Sequence, residues 1–301
     1  MAYKLPESKL RREITPMTAN VKPLVKVVTD STSDITLDMA ARHHIKIVPL
    51  TVTMGNKSFK DGYEITPREF YAKLPGLKNL PTTSQPAVPL FEEAYREALA
   101  DGSNVISLHI SAKLSGTFNS ASLAAQSFPT GRVCVIDSQE VSGALGMLVL
   151  SAAEMSHKGF ALDEIEREIK SMMERTVLLA TADTLEYLHK GGRIGGLRSL
   201  FGTILSIKPI FQIKNGELSQ YQNVRTKRKA LERIAEFAKG LGKLEKLTVM
   251  HADSPDEAGE LANLLAPIFP LKDIYVSYIG PVVGAHAGPK TLGICAIKAK
   301  P

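Results

Sequence analysis

Short apolar runs rich in β-branched residues alternate with amphipathic helical patterns through the first half of the chain, and this rhythm constrains the fold more than any other feature. The order is VKVVTD at 25–30, TLDMAARHH at 36–44, IKIVPLTV at 45–52, FEEAYREALA at 91–100, NVISLHI at 104–110, SGTFNSASLAAQ at 115–126, VCVID at 133–137 and GALGMLVLSAAEMSHKG at 143–159. Each strand-like run is followed by a segment of helical period. That succession builds βαβ units, hence a largely parallel sheet with helices on both faces.

Segment 53–80 interrupts the rhythm. The Gly55-Asn56 turn signal, Gly62, Pro67 and Pro75 predict a small hairpin and one short helix begun by Thr66-Pro67, an excursion from the main sheet. After a helical stretch at 162–174 the pattern changes to VLLATAD, a helix at TLEYLHK, a glycine-rich KGGRIGG at 190–196, and KPIFQIKNGELSQYQNV at 208–224. Asn215-Gly216 between two strand-like runs is the strongest short-range hairpin signal. A basic helix from Thr226 to about Leu241, a strand at KLTVMHA, a helix at 254–266 and strands near 273–279 and 292–298 complete the chain. The expected organisation is α/β in two domains: a flexible extension at 1–23, a largely parallel domain at 24–174 and a mixed-sheet domain at 175–301.

With 301 residues, 44% hydrophobic and 23% charged, the composition is that of a folded globular chain. The apolar stretches Val133 to Ile136 and Ala144 to Ala153 are far shorter than the roughly 18 to 20 residues that span a bilayer. The first twenty-odd residues mix Lys4, Lys9, Arg11 and Arg12 with Glu7 and Glu13 and lack an apolar core, unlike a secretory signal. Cys134 and Cys295 lie far apart in strand-like runs without metal-type spacing, which reads as two free thiols and a cytoplasmic location. The net charge of +6 allows an acidic partner, a phosphate ligand or an anionic membrane surface. Aromatic residues are not interleaved with the basic clusters, so nucleic-acid binding is not expected.

Ligands of open α/β sheets bind at the carboxyl ends of the strands. Those loops are crowded with hydroxyls here: Asp30-Ser31-Thr32-Ser33-Asp34 after the first strand, Thr82-Thr83-Ser84-Gln85-Pro86 before a long helix, and Ser111 to Thr117 before another. Orphan N–H groups at a helix start, joined by a Ser or Thr hydroxyl, make an anion seat, although the same residues also serve as ordinary caps. Asp34 reads as a helix N-terminal carboxylate. Neither Asp30 with Asp34 nor His251 with Asp253 and Asp256 has a recognised metal spacing. Ser115 lacks the G-x-S-x-G elbow of serine hydrolases, while a Ser115–His286 dyad stays open. KGGRIGG matches no phosphate-loop pattern and reads either as a turn or as a closure carrying Arg193. His286, between Gly284 and Gly288 in an expected interstrand loop, is either packing or functional.

Taken in order, TDSTSD at 29–34, TTSQP at 82–86, LSGTFNSA at 114–121, VIDS at 135–138, TLEYLHKGGRI at 184–194, ILSIKPI at 204–210, VRTKRKALERI at 224–234 and GPVVGAHAGP at 280–289 resemble the DegV family from Val25 to Lys298. The resemblance implies a two-domain α/β fold that binds one long-chain fatty acid in a tunnel between the domains, without a cofactor, a metal or catalysis of its own. It also implies a bacterial protein that, in some members, serves as the fatty-acid-binding subunit of a fatty acid kinase, which phosphorylates the presented carboxylate in phospholipid metabolism. The carboxylate would be held by Thr83 and Ser115 with Gly116, Arg193 and His286, and Ser31, Thr32, Ser84, Thr117 and Lys290 are secondary candidates. Ala287 and Lys290 depart from the family's usual threonine and glycine. The basic residues Lys190, Arg193, Arg198, Arg225, Lys227, Arg228 and Lys229 would suit docking of a kinase or transient contact with an anionic membrane. Two alternatives stand beside this reading: an enzyme using Ser115 and His286 on a small acyl or phosphorylated ligand, and a lipid-sensing regulator.

Overall fold

The computed structural model describes residues 25–200 and 207–300. The expected extension at 1–23 and the first three residues of ILSIKPI lie outside the described residues.

In the first half, β1 (Val25–Asp30), β2 (Ile45–Val48), β6 (Asn104–His109) and β7 (Val133–Asp137) form a parallel sheet in the order β2-β1-β6-β7. The strand period of two sends Val25 and Val27 of β1 to one face and Val28 to the other. On the Val28 side lie Phe91 and Tyr95 of α3 (Val88–Leu99) and Ala121 of α4 (Thr117–Ala125). The opposite face packs on α5 (Gly143–His157) and α6 (Leu162–Arg175). The short α1 (Leu37–Arg42) links β1 to β2 and is capped by Thr36. As the rhythm predicts, helices cover both faces.

The excursion is a hairpin of β3 (Thr51–Met54) and β4 (Lys57–Lys60), followed by α2 (Pro67–Lys73). Thr66 and Glu69 close a capping box on α2, with Pro67 at its first position. One expectation is corrected here. TTSQP precedes the long helix α3, but its hydroxyls do not cap it: Thr82–Ser84 is β5, paired antiparallel with β3, and Ala87 stands at the helix start.

The second sheet, in the order β10-β9-β8-β13-β11-β12, consists of β8 (Thr176–Thr181), β9 (Lys208–Lys214), β10 (Glu217–Val224), β11 (Leu244–His251), β12 (Tyr275–Tyr278) and β13 (Leu292–Lys298). Only the β11–β12 pairing is parallel, so the sheet is mixed. The β9–β10 turn is Asn215-Gly216, both with positive φ (52° and 79°), the mirror-image geometry that matches the strand twist. The short α7 (Glu186–Lys190) follows β8, and one face of the sheet, including Leu179, Ile210 and Val249, is covered by α8 (Lys227–Gly240) and α9 (Pro255–Leu265). The other face, with Leu178, Ala180, Phe211, Leu218, Met250 and Cys295, turns inward onto the core built around α5 and α6. Both cysteines are free thiols, Cys295 buried and Cys134 half-buried. No helix among the described residues is long and apolar enough to cross a membrane.

A second correction concerns GPVVGAHAGP. It is not an open loop: Pro281–Ala287 is the helix α10, with Pro281 at its first turn and Gly288 (φ 79°) just past its end. Proline at the start and glycine beyond the end is the expected asymmetry of helix termini. His286 therefore sits in a helical last turn. Lys290 has φ 59° and an exposed side chain. Left-handed backbone strains a residue that bears a Cβ. Replacing Lys290 by glycine is expected to raise unfolding stability by about 1 kcal/mol, measured by denaturant titration.

Candidate functional site

The two sheets do not close fully on each other. Between them lies a mostly apolar cavity. Leu218, Phe211, Ile213, Leu178, Ala180 and Met250 line its floor on the inward face of the mixed sheet. From β10 to β11 that floor crosses four interstrand steps, about 19 Å. The roof comes from loops at the carboxyl ends of the parallel strands: Thr32 after β1, Leu50 after β2, Ile110, Leu114 and Ser115 after β6, and Val141 and Ser142 after β7. Val282, Val283 and His286 of α10 form a side wall. This is where the general rule for parallel sheets places a ligand.

Part of the lining of this apolar space is polar. Thr83 Oγ1 and His286 Nε2 are 2.7 Å apart, bringing together residues 203 positions distant in sequence. Burial and the nearby Arg193 charge lower the His286 pKa to about 4, so its ring is neutral at physiological pH. A neutral imidazole has a single N–H. Nδ1 is buried without a partner, and a lone pair left there costs less than an orphan donor. This favours the tautomer in which Nε2–H donates to Thr83, leaving the Thr83 hydroxyl proton for an incoming acceptor. Ser115 Oγ lies 2.8 Å from Thr117 Oγ1 and accepts from the Thr117 N–H at 3.3 Å. The Arg193 guanidinium is fixed by donation to the carbonyls of Leu114 (3.2 Å) and Gly191 (2.7 Å). Thr83, Ser115, Arg193 and His286 all line the cavity. A positive charge, two hydroxyls and a neutral imidazole suit one anionic head group.

Other expectations fall differently. Gly116 does not line the cavity: a Cβ there would overlap Gln85 Oε1, and Gln85 Nε2 donates to Ser120 Oγ at 2.9 Å. Gly116 thus admits the carboxamide that ties TTSQP to α4, a contact invisible in either motif alone. Ser84 is exposed, Thr117 is buried beneath Ser115, and Lys290 faces solvent. Ser31 Oγ accepts from the Leu50 N–H at 3.0 Å, while Thr32 lines the cavity. Asp34 does not cap the helix that follows it in sequence. It accepts from the Gly280 N–H at 3.0 Å and from Ser142 Oγ at 2.5 Å, and so ties β1 to the start of α10. His286 has Thr83 as its hydroxyl partner, not the Ser115 of the dyad reading.

An acid–base–hydroxyl chain does occur elsewhere: Asp30 Oδ2 to His109 Nδ1 at 3.0 Å, and His109 Nε2 to Ser107 Oγ at 2.7 Å. All three side chains are fully buried and Tyr95 donates to Ser107 Oγ at 2.9 Å, so the chain braces the β1 and β6 ends instead of meeting a substrate. No cluster of three metal-type ligands exists among the described residues. Of the basic residues, Lys190 pairs with Glu186, Arg228 with Glu232, and Lys227 with Asp183.

Parallel-sheet loops closing over the inward face of a mixed sheet define an α/β protein with an interior apolar cavity and a polar end. Residues 24–299 match the family described as "Uncharacterised protein, DegV family". A DegV domain-containing protein of Streptomyces coelicolor is 39% identical over 274 residues, covering 90% of this chain and 97% of that protein. A DegV family protein from Thermus thermophilus, whose structure is described by its fatty acid binding, superposes with a TM-score of 0.86 at 37% identity, covering 91% of this chain and 99% of that one. A stearic acid-binding protein from Eubacterium ventriosum superposes with a TM-score of 0.81 at 26% identity, covering 91% and 98%. The chain belongs to the DegV family.

Two outcomes follow from this geometry. A Cβ at Gly191 would overlap His286 Nδ1, so Gly191→Ala is expected to displace the ring, separate it from Thr83 and cost about 1–3 kcal/mol; the His286 NMR resonances and a thermal melt report both. Separately, burial pushes Asp61 up to about 7, with Oδ2 unpartnered. An acid whose pKa is raised on folding favours the fold only while protonated, so the Asp61 contribution to stability declines from about pH 4 to pH 7 by about 1.4 kcal/mol per pH unit. Asp61→Asn is expected to gain on wild type across that window in paired urea titrations.

Proposed function

We propose that the chain binds one long-chain fatty acid in this cavity, with the carboxylate at Thr83, Ser115 and His286 beside Arg193. The observation that carries the reading is an apolar cavity whose lining also holds Thr83, Ser115, Arg193 and His286, with Thr83 Oγ1 2.7 Å from His286 Nε2. Burying some 14 methylenes at about 0.8 kcal/mol each supplies on the order of 11 kcal/mol before ordering costs. The head group then needs only enough donors to avoid a desolvated, unsatisfied carboxylate. Fatty acid binding by the Thermus thermophilus relative and stearic acid binding by the Eubacterium ventriosum protein support the assignment.

In this reading the protein is not itself the catalyst. It holds the acyl chain, exposes the carboxylate at the cavity end, and a separate kinase transfers phosphate to give an acyl phosphate, with Arg193 steadying the product. The free thiols accord with a cytoplasmic setting. The exposed Arg198 and Arg225 leave a basic surface for the kinase or for transient contact with an anionic membrane.

Native mass spectrometry of the purified protein, followed by lipid extraction, tests the binding step. A stoichiometric fatty acid in wild type is expected, with occupancy reduced at least tenfold in Thr83→Ala and Ser115→Ala. Wild type that stays empty after incubation with fatty acids of varied length rejects the reading.

A further inference from the structure

The cavity has a second polar locus, away from the head-group end. α10 runs along the wall and fixes the separation: His286, at one end, meets Thr83, while Gly280, at the other, donates to Asp34, which is bonded to Ser142. Six residues of helix place the two loci about 9 Å apart. Val282 and Val283 line the stretch between them.

Ser142 lines the cavity and is buried. Its backbone has φ 56° and ψ −139°, a conformation that ordinarily belongs to glycine, and such strain clusters at functional sites. Its N–H donates to the Thr32 carbonyl at 2.8 Å and its hydroxyl lies 2.5 Å from Asp34 Oδ2. Burial holds the Asp34 carboxyl well above its usual range, and Ser142 Oγ, which donates its proton to Asp34, keeps lone pairs that can accept from the cavity. Thr32, which also lines the cavity, commits its hydroxyl proton to Asp30 Oδ1 and retains an acceptor. Two hydroxyl oxygens that keep acceptor capacity suit the O–H of an alcohol, and an unmodified acyl chain offers these groups nothing.

We propose that Ser142 and Thr32 form a subsite for a mid-chain hydroxyl, so that the cavity admits hydroxy fatty acids as well as plain ones. This rests on the fatty acid reading above. In a wholly apolar cavity, a hydroxyl would forfeit its water hydrogen bonds without replacement and the hydroxy acid would bind far more weakly. Here the two hydroxyls replace them.

Delipidated wild type, Ser142→Gly and Ser142→Ala are titrated with octadecanoic acid and with 10-hydroxyoctadecanoic acid by calorimetry. Glycine suits the backbone at 142 and keeps the test independent of strain. Wild type is expected to bind the two acids within about threefold of each other, and both variants to shift the ratio roughly tenfold against the hydroxy acid. A purely structural loss weakens both acids alike, and an unchanged ratio overturns the subsite alone. Wild type that binds neither acid overturns the fatty acid reading as well.

Discussion

An apolar cavity lined by flexible side chains collapses unless stiffer contacts hold its walls apart, and close packing is the default for protein interiors. Here the walls are pinned by hydrogen bonds between segments distant in sequence. Asp34 holds the Gly280 N–H at one end of α10. Thr83 meets His286 at the other. Arg193 reaches the Leu114 carbonyl, and Ser111 Oγ donates to the Gly216 carbonyl at the tip of the β9–β10 hairpin at 2.7 Å. Each contact joins a segment of the first half of the chain to one of the second, and the cavity is the space between them.

The cost of this arrangement appears as buried polarity. Asp34, Asp61 and Glu140 are all buried carboxyls with raised pKa values, Asp61 to about 7 and Glu140 to about 8, chiefly because burial disfavours their ionised forms. Asp61 Oδ2, Glu140 Oε2 and the Tyr71 hydroxyl lack partners. A core designed only for stability avoids such groups. Their concentration around α10 and the loop preceding α5 is consistent with an interior shaped around something other than itself.

Much of the architecture was legible because it depends on short-range periodicity. The alternation of strand and helix patterns, the Asn215-Gly216 turn and the Thr66-Pro67 helix start are local signals, and the elements formed where they indicate. TTSQP and GPVVGAHAGP are ambiguous for a local reason too. A run of hydroxyls suits a helix cap as well as the strand that pairs with β3, and proline and glycine mark loops as readily as the two ends of a helix such as α10. Gln85, which seats on Gly116, left no trace in either motif, because its meaning lies in a contact 31 positions along the chain. Ser142 carried only the weak turn mark of a Ser-Gly pair.

The sequence by itself determined the class of fold, the strand and helix order and the set of hydroxyls, glycines, arginine and histidine from which the site is drawn, since each depends on residue type and near-neighbour spacing. Only the tertiary structure decided which of them meet. It paired His286 with Thr83 rather than Ser115, turned Asp34 towards α10, moved Gly116 from the cavity to a packing seat and brought Ser142 to the cavity wall. The physical reason is that these contacts are set by how two sheets and one helix pack across the chain, and hydrogen bonds of a few ångströms between distant residues leave no period for a sequence to display.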